Sequence, residues 1–331
     1  MEEVATVSAA RMLNKSGQRV VIVHADQSTF ASVQDGTDGF FPQIQDYARK
    51  QGHMMRLVKA RSRPAEMLGD PALGHVHVTM GDMAGYAPDT LHAGHGYIWG
   101  FWYLDEVGVH ANSSLRFGQF APERVDKDKA EYFFNGVTGW MLRENVSKVY
   151  QTPRLETPLE KGAAVIFCQE IEHLRARTHF LKTEQIIRTV AEQDRNKLVY
   201  VKLHPAQSKP MRREIMTVCQ DYQNVQISEA SVHDLAAASD VVVSQNSAAG
   251  FEALMQKKPV VTCAKSDYWH ATLTARTESD LREALEFGVE AMADFPFEKY
   301  LFWFLHRHLL EAAKEDFAER AWARIADKAF L

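Results

Sequence analysis

Between residues 164 and 263, short apolar runs alternate with amphipathic stretches, and no other feature of the chain limits the fold as much. Strands are expected at 164–168, 198–203, 225–227, 241–244 and 260–263. Helical spacing fills the gaps, at 183–193, 211–222, 232–238 and 248–256. Runs that are apolar along their whole length suit strands buried on both faces, and helices between such strands give a parallel sheet.

The first half shows the same alternation less cleanly. Residues 19–24 (RVVIVH), 53–58, 75–80 and 98–104 (IWGFWYL) are strand candidates, and 40–52 has helical spacing with Phe41, Ile44 and Tyr47 on one face. Residues 127–150 should contain the helix that leads out of this domain. The stretch QTPRLETPLEK then carries two prolines and several charges, as linkers do. The expected organisation is therefore a domain at 1–150, a linker at 151–162, a second domain at 163–296, and helices at 297–331 that pack back on the first domain. Two Rossmann-like domains with parallel sheets facing across a cleft make an α/β, GT-B-like fold.

With 38 Lys and Arg against 43 Asp and Glu, the chain has no basic excess to displace phosphate counterions, so nucleic acid is not an expected partner. Cys168, Cys219 and Cys263 form no CxxC pair and suit reduced, cytoplasmic thiols. The N-terminus carries two acids and lacks the apolar core of a signal peptide. The apolar run at 300–305, followed by His306, Arg307 and His308, could make peripheral contact at the inner face of a membrane, but burial in the core is the favoured reading. No metal is expected. The histidines are scattered, and Asp126-Lys127-Asp128 lies in a charged helical stretch.

Two sequences fall at the carboxyl ends of expected strands, where open parallel sheets bind ligands. In Lys202-Leu203-His204-Pro205, Pro205 stops the strand and leaves an imidazole at its tip, able to donate to a phosphate. In Ser244-Gln245-Asn246-Ser247, a strand runs into small polar residues and then a helix. Ser244, Asn246 and Ser247 supply donors, and the N–H of Ala248 opens the helix. Gly250 allows close approach to a ligand or to the next strand, and Glu252 could accept a ribose hydroxyl. One strand–helix unit separates the two turns, so both should open on one edge of the sheet.

The order of HP turn, Ser-rich turn, GFEAL and KPVV resembles the capsule polysaccharide biosynthesis family. That family is similar to GT-B transferases using CMP-activated acidic sugars, β-Kdo transferases among them and, more distantly, bacterial sialyltransferases. The resemblance implies a CMP-sugar co-substrate with no separate cofactor, an oligosaccharide or glycolipid acceptor, and a phosphate held by the two turns. Asn246-Ser247 stands where the family has a Ser pair. Trp102-Tyr103-Leu104-Asp105-Glu106-Val107-Gly108 resembles the family's acidic motif, which implies a catalytic carboxylate at Asp105 or Glu106 and makes His204 a catalytic candidate as well. Asn112, Arg116, Tyr268 and His270 are candidates for acceptor or sugar contacts. A CDP-alcohol phosphotransferase of teichoic-acid type shares both turns and is the rival enzyme reading. A non-catalytic polysaccharide-binding subunit is the rival outside enzymes.

Overall fold

The computed structural model describes residues 1–81, 84–174 and 177–329; the last two residues of the expected C-terminal helices lie outside them. In chain order the strands are β1 (Val21–Ala25), β2 (Met55–Lys59), β3 (Val76–Met80), β4 (Thr90–His95) and β5 (Phe101–Asp105). There follow β6 (Gly162–Phe167), β7 (Val199–Lys202), β8 (Val225–Ile227), β9 (Ser239–Ser244), β10 (Val260–Thr262), β11 (Leu273–Thr274) and β12 (Leu310–Glu311). They form two sheets in two compact units. The first unit comprises 1–96, 100–115 and 305–331, and the second 97–99 and 116–304.

The second unit is the one the sequence describes best. Its sheet has the order β11-β10-β9-β6-β7-β8, and all its pairings are parallel. Counted from β6, that is the doubly wound order 3-2-1-4-5-6, in which the connections diverge between β6 and β9. The helices Thr183–Gln193 and Val232–Ala238 keep the bounds expected from periodicity. On one face Ile166, Ile187, Val201, Val243 and Leu281 close a core with exposures of 1% or less.

The first unit departs from expectation in three ways. Its sheet is mixed, in the order β12-β5-β4-β3-β1-β2, because β5 runs antiparallel to β4 and β12 antiparallel to β5. The expected domain boundary near 150 falls instead near Leu115. The helix Lys127–Arg143 belongs to the second unit, where Phe133 meets Phe302 edge-on at 5.7 Å. Only the last part of the tail returns to the first unit: the helix Phe317–Ala329 buries Phe317, Trp322 and Ile325 against Val23, Phe41, Ile44 and Val78.

The run at 300–305 is core rather than a membrane contact. Tyr300, Leu301, Phe304 and Leu305 are 0% exposed, and within the second unit Tyr300 packs on Phe120 and Phe304 on Phe251. Among the described residues, no helix is long and apolar enough to cross a membrane.

The second face of the first sheet carries polar groups near the carboxyl ends of its parallel strands. His24, Thr79, His92 and Asp105 stand side by side in register. His24 Nε2 lies 2.8 Å from His77 Nδ1, and His77 Nε2 is buried with no hydrogen-bond partner among the described residues. Burial, followed by the charge of a protonated His77, pushes His24 down to about 4. A histidine lowered by folding stays neutral in the native state and takes up a proton on unfolding. Its stabilisation is whole above about pH 6.5 and is lost as pH falls toward 4. Protection of β1 and β3 amides should therefore fall by roughly 2–3 kcal/mol between pH 7 and 4.5. Hydrogen exchange read on those peptides checks this, and His24→Leu should flatten the profile.

Candidate functional site

In the second unit, the polypeptide leaves the carboxyl ends of β6, β7, β9 and β10 along one edge of the sheet. The two turns singled out from sequence meet there, joined by two glutamines that the sequence did not flag. The backbone N–H of His204 donates to Gln207 Oε1 (2.9 Å), and Gln207 Nε2 reaches the carbonyl of Gln169 at 3.5 Å. Gln169 lies two residues past the end of β6. Its Oε1 accepts from the N–H of Asn246 (2.8 Å), and its Nε2 donates to Asn246 Oδ1 (3.2 Å). Asn246 Nδ2 then donates to the carbonyl of Lys265 (2.8 Å). This chain of bonds ties four strand ends together, with Gln169 at the point where the sheet's connections diverge.

His204 is half-buried and Pro205 beside it is exposed. The Ala206 N–H donates to His204 Nδ1 (3.1 Å), so the ring proton sits on Nε2. Burial lowers the His204 pKa, which keeps the imidazole neutral near pH 7, with Nε2–H as a donor. Ser247 caps the following helix: its Oγ accepts from the Ala249 N–H (3.2 Å), which leaves its own hydroxyl proton to donate elsewhere. That helix, Ala248–Ala253, is only six residues long and passes into a 3-10 turn, so side-chain donors matter more here than a helix dipole. Ala248 is half-buried at its start.

Several expected ligand contacts turn out to be internal. Lys202 is 9% exposed, and its ammonium donates to the carbonyls of Glu229 and Ala230 rather than to a phosphate. Ser244 is 0% exposed and faces Gly250, where an added Cβ would lie 2.6 Å from its Oγ. Gly250 thus serves close packing of helix on strand, the second of its two expected roles. The Asn246 amide joins loops. Tyr268 is 0% exposed and donates to the Ser247 carbonyl (2.9 Å), so it supports the turn from below and does not border an acceptor.

Glu252 does not reach a ribose site. It is 1% exposed and accepts from Ser147 Oγ (2.9 Å) and the Lys148 N–H (3.1 Å), and its Oε2 is buried with no hydrogen-bond partner among the described residues. Burial pushes its carboxyl up to about 7, against the pull of those two bonds. The loop at 266–271 does lie beside Arg116: Trp269 Nε1 donates to the Arg116 carbonyl (3.0 Å), and His270 Nε2 is 2.8 Å from the Gly118 carbonyl.

In the first unit, the acidic motif forms a tight turn at the end of β5. Asp105 Oδ1 accepts from the N–H groups of Val107 (2.8 Å), Gly108 (3.0 Å) and Ser114 (3.0 Å), while Oδ2 takes the Ser114 hydroxyl (2.6 Å). That carboxylate organises the turn. Gly108 is required there because any Cβ would come within 2.9 Å of Asn112, whose place in the turn is structural. Glu106 is different. Its side chain is 52% exposed and lies 3.5 Å from the ammonium of Lys328, which is 7% exposed. Both acids line a cavity of about 250 Å³ with Ser114, His308 and Arg324. The Asp126 of the Asp-Lys-Asp sequence caps a helix, accepting from the Lys129 N–H.

Residues 175–285, about a third of the chain, match the family model described as capsule polysaccharide biosynthesis protein. That segment is therefore similar to proteins of capsule polysaccharide biosynthesis. It contains the His204 and Asn246–Ser247 turns but not Gln169. Among solved structures, the chain is similar to KpsC of Thermosulfurimonas dismutans in two forms. The beta Kdo 2,7 transferase is 16% identical over 78% of this chain and 88% of that one, with a TM-score of 0.49. The beta Kdo 2,4 transferase is 18% identical over 81% and 90%, at 0.48. An S. aureus MnaA–UDP co-structure is 10% identical over 93% and 96%, at 0.40. No curated protein matches the chain. Two α/β units, the second containing the segment that matches the capsule model, give this chain a GT-B-like architecture.

Proposed function

We propose that the chain is a capsule-type glycosyltransferase whose second unit binds a CMP-activated acidic, Kdo-like sugar. The observation that carries this reading is the clasp from Gln207 through Gln169 to Asn246, which sets the His204 and Ser247 turns on one sheet edge. The departing group is CMP, and its barrier falls if donors already in place receive the developing phosphate charge. His204 Nε2–H and the Ser247 hydroxyl are such donors. Both are neutral before reaction, so neither attracts a competing anion as strongly as a lysine would. No metal is required in this proposal.

In the first unit, Glu106 supplies the carboxylate chemistry, as base toward the acceptor hydroxyl or as nucleophile toward the anomeric carbon. Asp105 holds the turn that presents it. The acceptor is an oligosaccharide or glycolipid, met at the cytoplasmic face of the membrane. Thermal-shift titration with CMP, CDP, UDP and GDP tests the donor side, followed by an assay of CMP release from CMP-Kdo. CMP should give the largest rise in Tm. Preference for UDP would overturn the donor assignment, and turnover of CDP-glycerol would favour the phosphotransferase reading.

A further inference from the structure

We propose that the first unit holds a separate site for an acidic sugar, at the carboxyl ends of β1 and β3. This deepens the glycosyltransferase reading by naming the chemistry of the acceptor, and rests on it for the ligand's role but not for its binding. The helix Phe41–Lys50, which leads to β2, packs on one face of the sheet, and the helix Arg63–Leu68, which leads to β3, packs on the other. The connections therefore diverge between β1 and β3, and the crevice outside such a point is where open α/β sheets accept ligands. A cavity of about 530 Å³ opens there, lined by Asp26, Ser28, Lys59, Arg61, Met80 and Gly81. None of these residues lines the cavity of the acidic motif.

The charges of this cavity are arranged for a bifunctional ligand. Lys59 and Arg61 are exposed at the end of β2 and join no ion pair among the described residues. Asp26 Oδ1 accepts from the N–H and hydroxyl groups of both Ser28 and Thr29. These bonds, led by the Ser28 hydroxyl, hold its carboxyl below the usual range and keep it ionised. Asp26 Oδ2 takes part in none of the four. An added Cβ at Gly81 would lie 3.1 Å from that oxygen, so the glycine leaves it uncovered.

The backbone at the rim carries the same message. Gly81 has φ +115, and Arg61 has φ 59, a left-handed conformation that disfavours a residue with a side chain. Such strain persists where a side chain is needed in one place. Two cations and one carboxylate oxygen lining the same cavity match a sugar that bears an anionic group and free hydroxyls. The anion meets Lys59 and Arg61, and a hydroxyl donates to Asp26 Oδ2. The anionic group is a carboxylate or a phosphate.

Isothermal titration of the full chain with glucuronate, glucose 6-phosphate, glucose and inorganic phosphate tests the site. At least one of the two acidic sugars should bind about 10-fold or more tightly than glucose and than phosphate alone, and the stronger of the two identifies the anionic group. Arg61→Gly should raise Tm, because glycine relieves the left-handed backbone, while weakening acidic-sugar binding about 10-fold. Lys59→Ala should weaken it without raising Tm. Equal binding of glucose and the acidic sugars, or an Arg61→Gly variant that binds as the wild type does, would overturn the proposal. CMP binding measured on the same samples keeps the two readings apart. Its loss would count against the donor assignment alone, and loss of acidic-sugar binding with CMP binding intact counts against this site alone.

Discussion

Glu106→Gln should lower sugar transfer about 10²–10⁴-fold while leaving Tm nearly unchanged. The glutamine keeps the shape of the side chain but removes the charge that would receive a proton or attack the donor. The carboxylate is half-exposed, and without its charge the Lys328 ammonium keeps its place over the Tyr86 ring, 4.6 Å from the centroid. Asp105→Asn offers the contrast. It weakens a carboxylate that accepts from three backbone N–H groups and a hydroxyl, so it should lower Tm as well as activity. Thermal unfolding and initial rates measured on both variants separate a reacting group from a group that shapes the turn. If Glu106→Gln retained full activity while Asp105→Asn lost it at unchanged Tm, the two roles would be exchanged.

Glu252→Leu should destabilise the second unit by about 3 kcal/mol, since it leaves the Ser147 hydroxyl and the Lys148 N–H without an acceptor inside the core. Glu252 also gives this unit a pH dependence opposite to that of the His24 cluster. Its carboxyl is raised to about 7 in the native state, so the folded protein holds a proton that the unfolded chain releases from about pH 4.3 upward. Stability from this group is whole in acid and is lost as pH rises toward 7. Amide exchange on peptides covering the helix Ala248–Ala253 should show protection decreasing across that window. Glu252→Gln, which cannot ionise, should remove the slope. A slope of the same size in the glutamine variant would assign it to another group.

The second sheet was legible because its strands are apolar from end to end and its helices keep a clear period. The first was harder to read for a physical reason. β4 reads Thr-Leu-His-Ala-Gly-His, with only Leu91 and Ala93 turned into the core, and such weak alternation does not stand out as a strand. The aromatic run before β5 divides between the two units, because Tyr97 and Ile98 belong to the second while Phe101 and Trp102 belong to the first. At the site, the His204 and Ser247 turns announce themselves through proline and capping chemistry. Gln169 carries no such signal. Its importance comes from the adjacency of β6 and β9, which strand order reveals and local sequence does not. Lys202, Glu252 and Tyr268 show the reverse: a polar residue near a ligand edge reads as a contact, whereas their bonds run inward, to the Glu229 and Ala230 carbonyls, to Ser147 and Lys148, and to the Ser247 carbonyl.

The first unit is completed only by residues from the far end of the chain. β12 extends its sheet beyond β5, and Phe317, Trp322 and Ile325 fill its core. During synthesis those residues emerge after the whole of the second unit, so the usual order, in which the more N-terminal domain folds first, is reversed for this pair. The second unit has its whole sheet available once β11 has left the ribosome, while the first 115 residues wait with part of an apolar sheet face uncovered beside the helix Phe41–Lys50. A chain cut before the helix Phe317–Ala329 would carry one finished unit and one whose core lacks Phe317, Trp322 and Ile325.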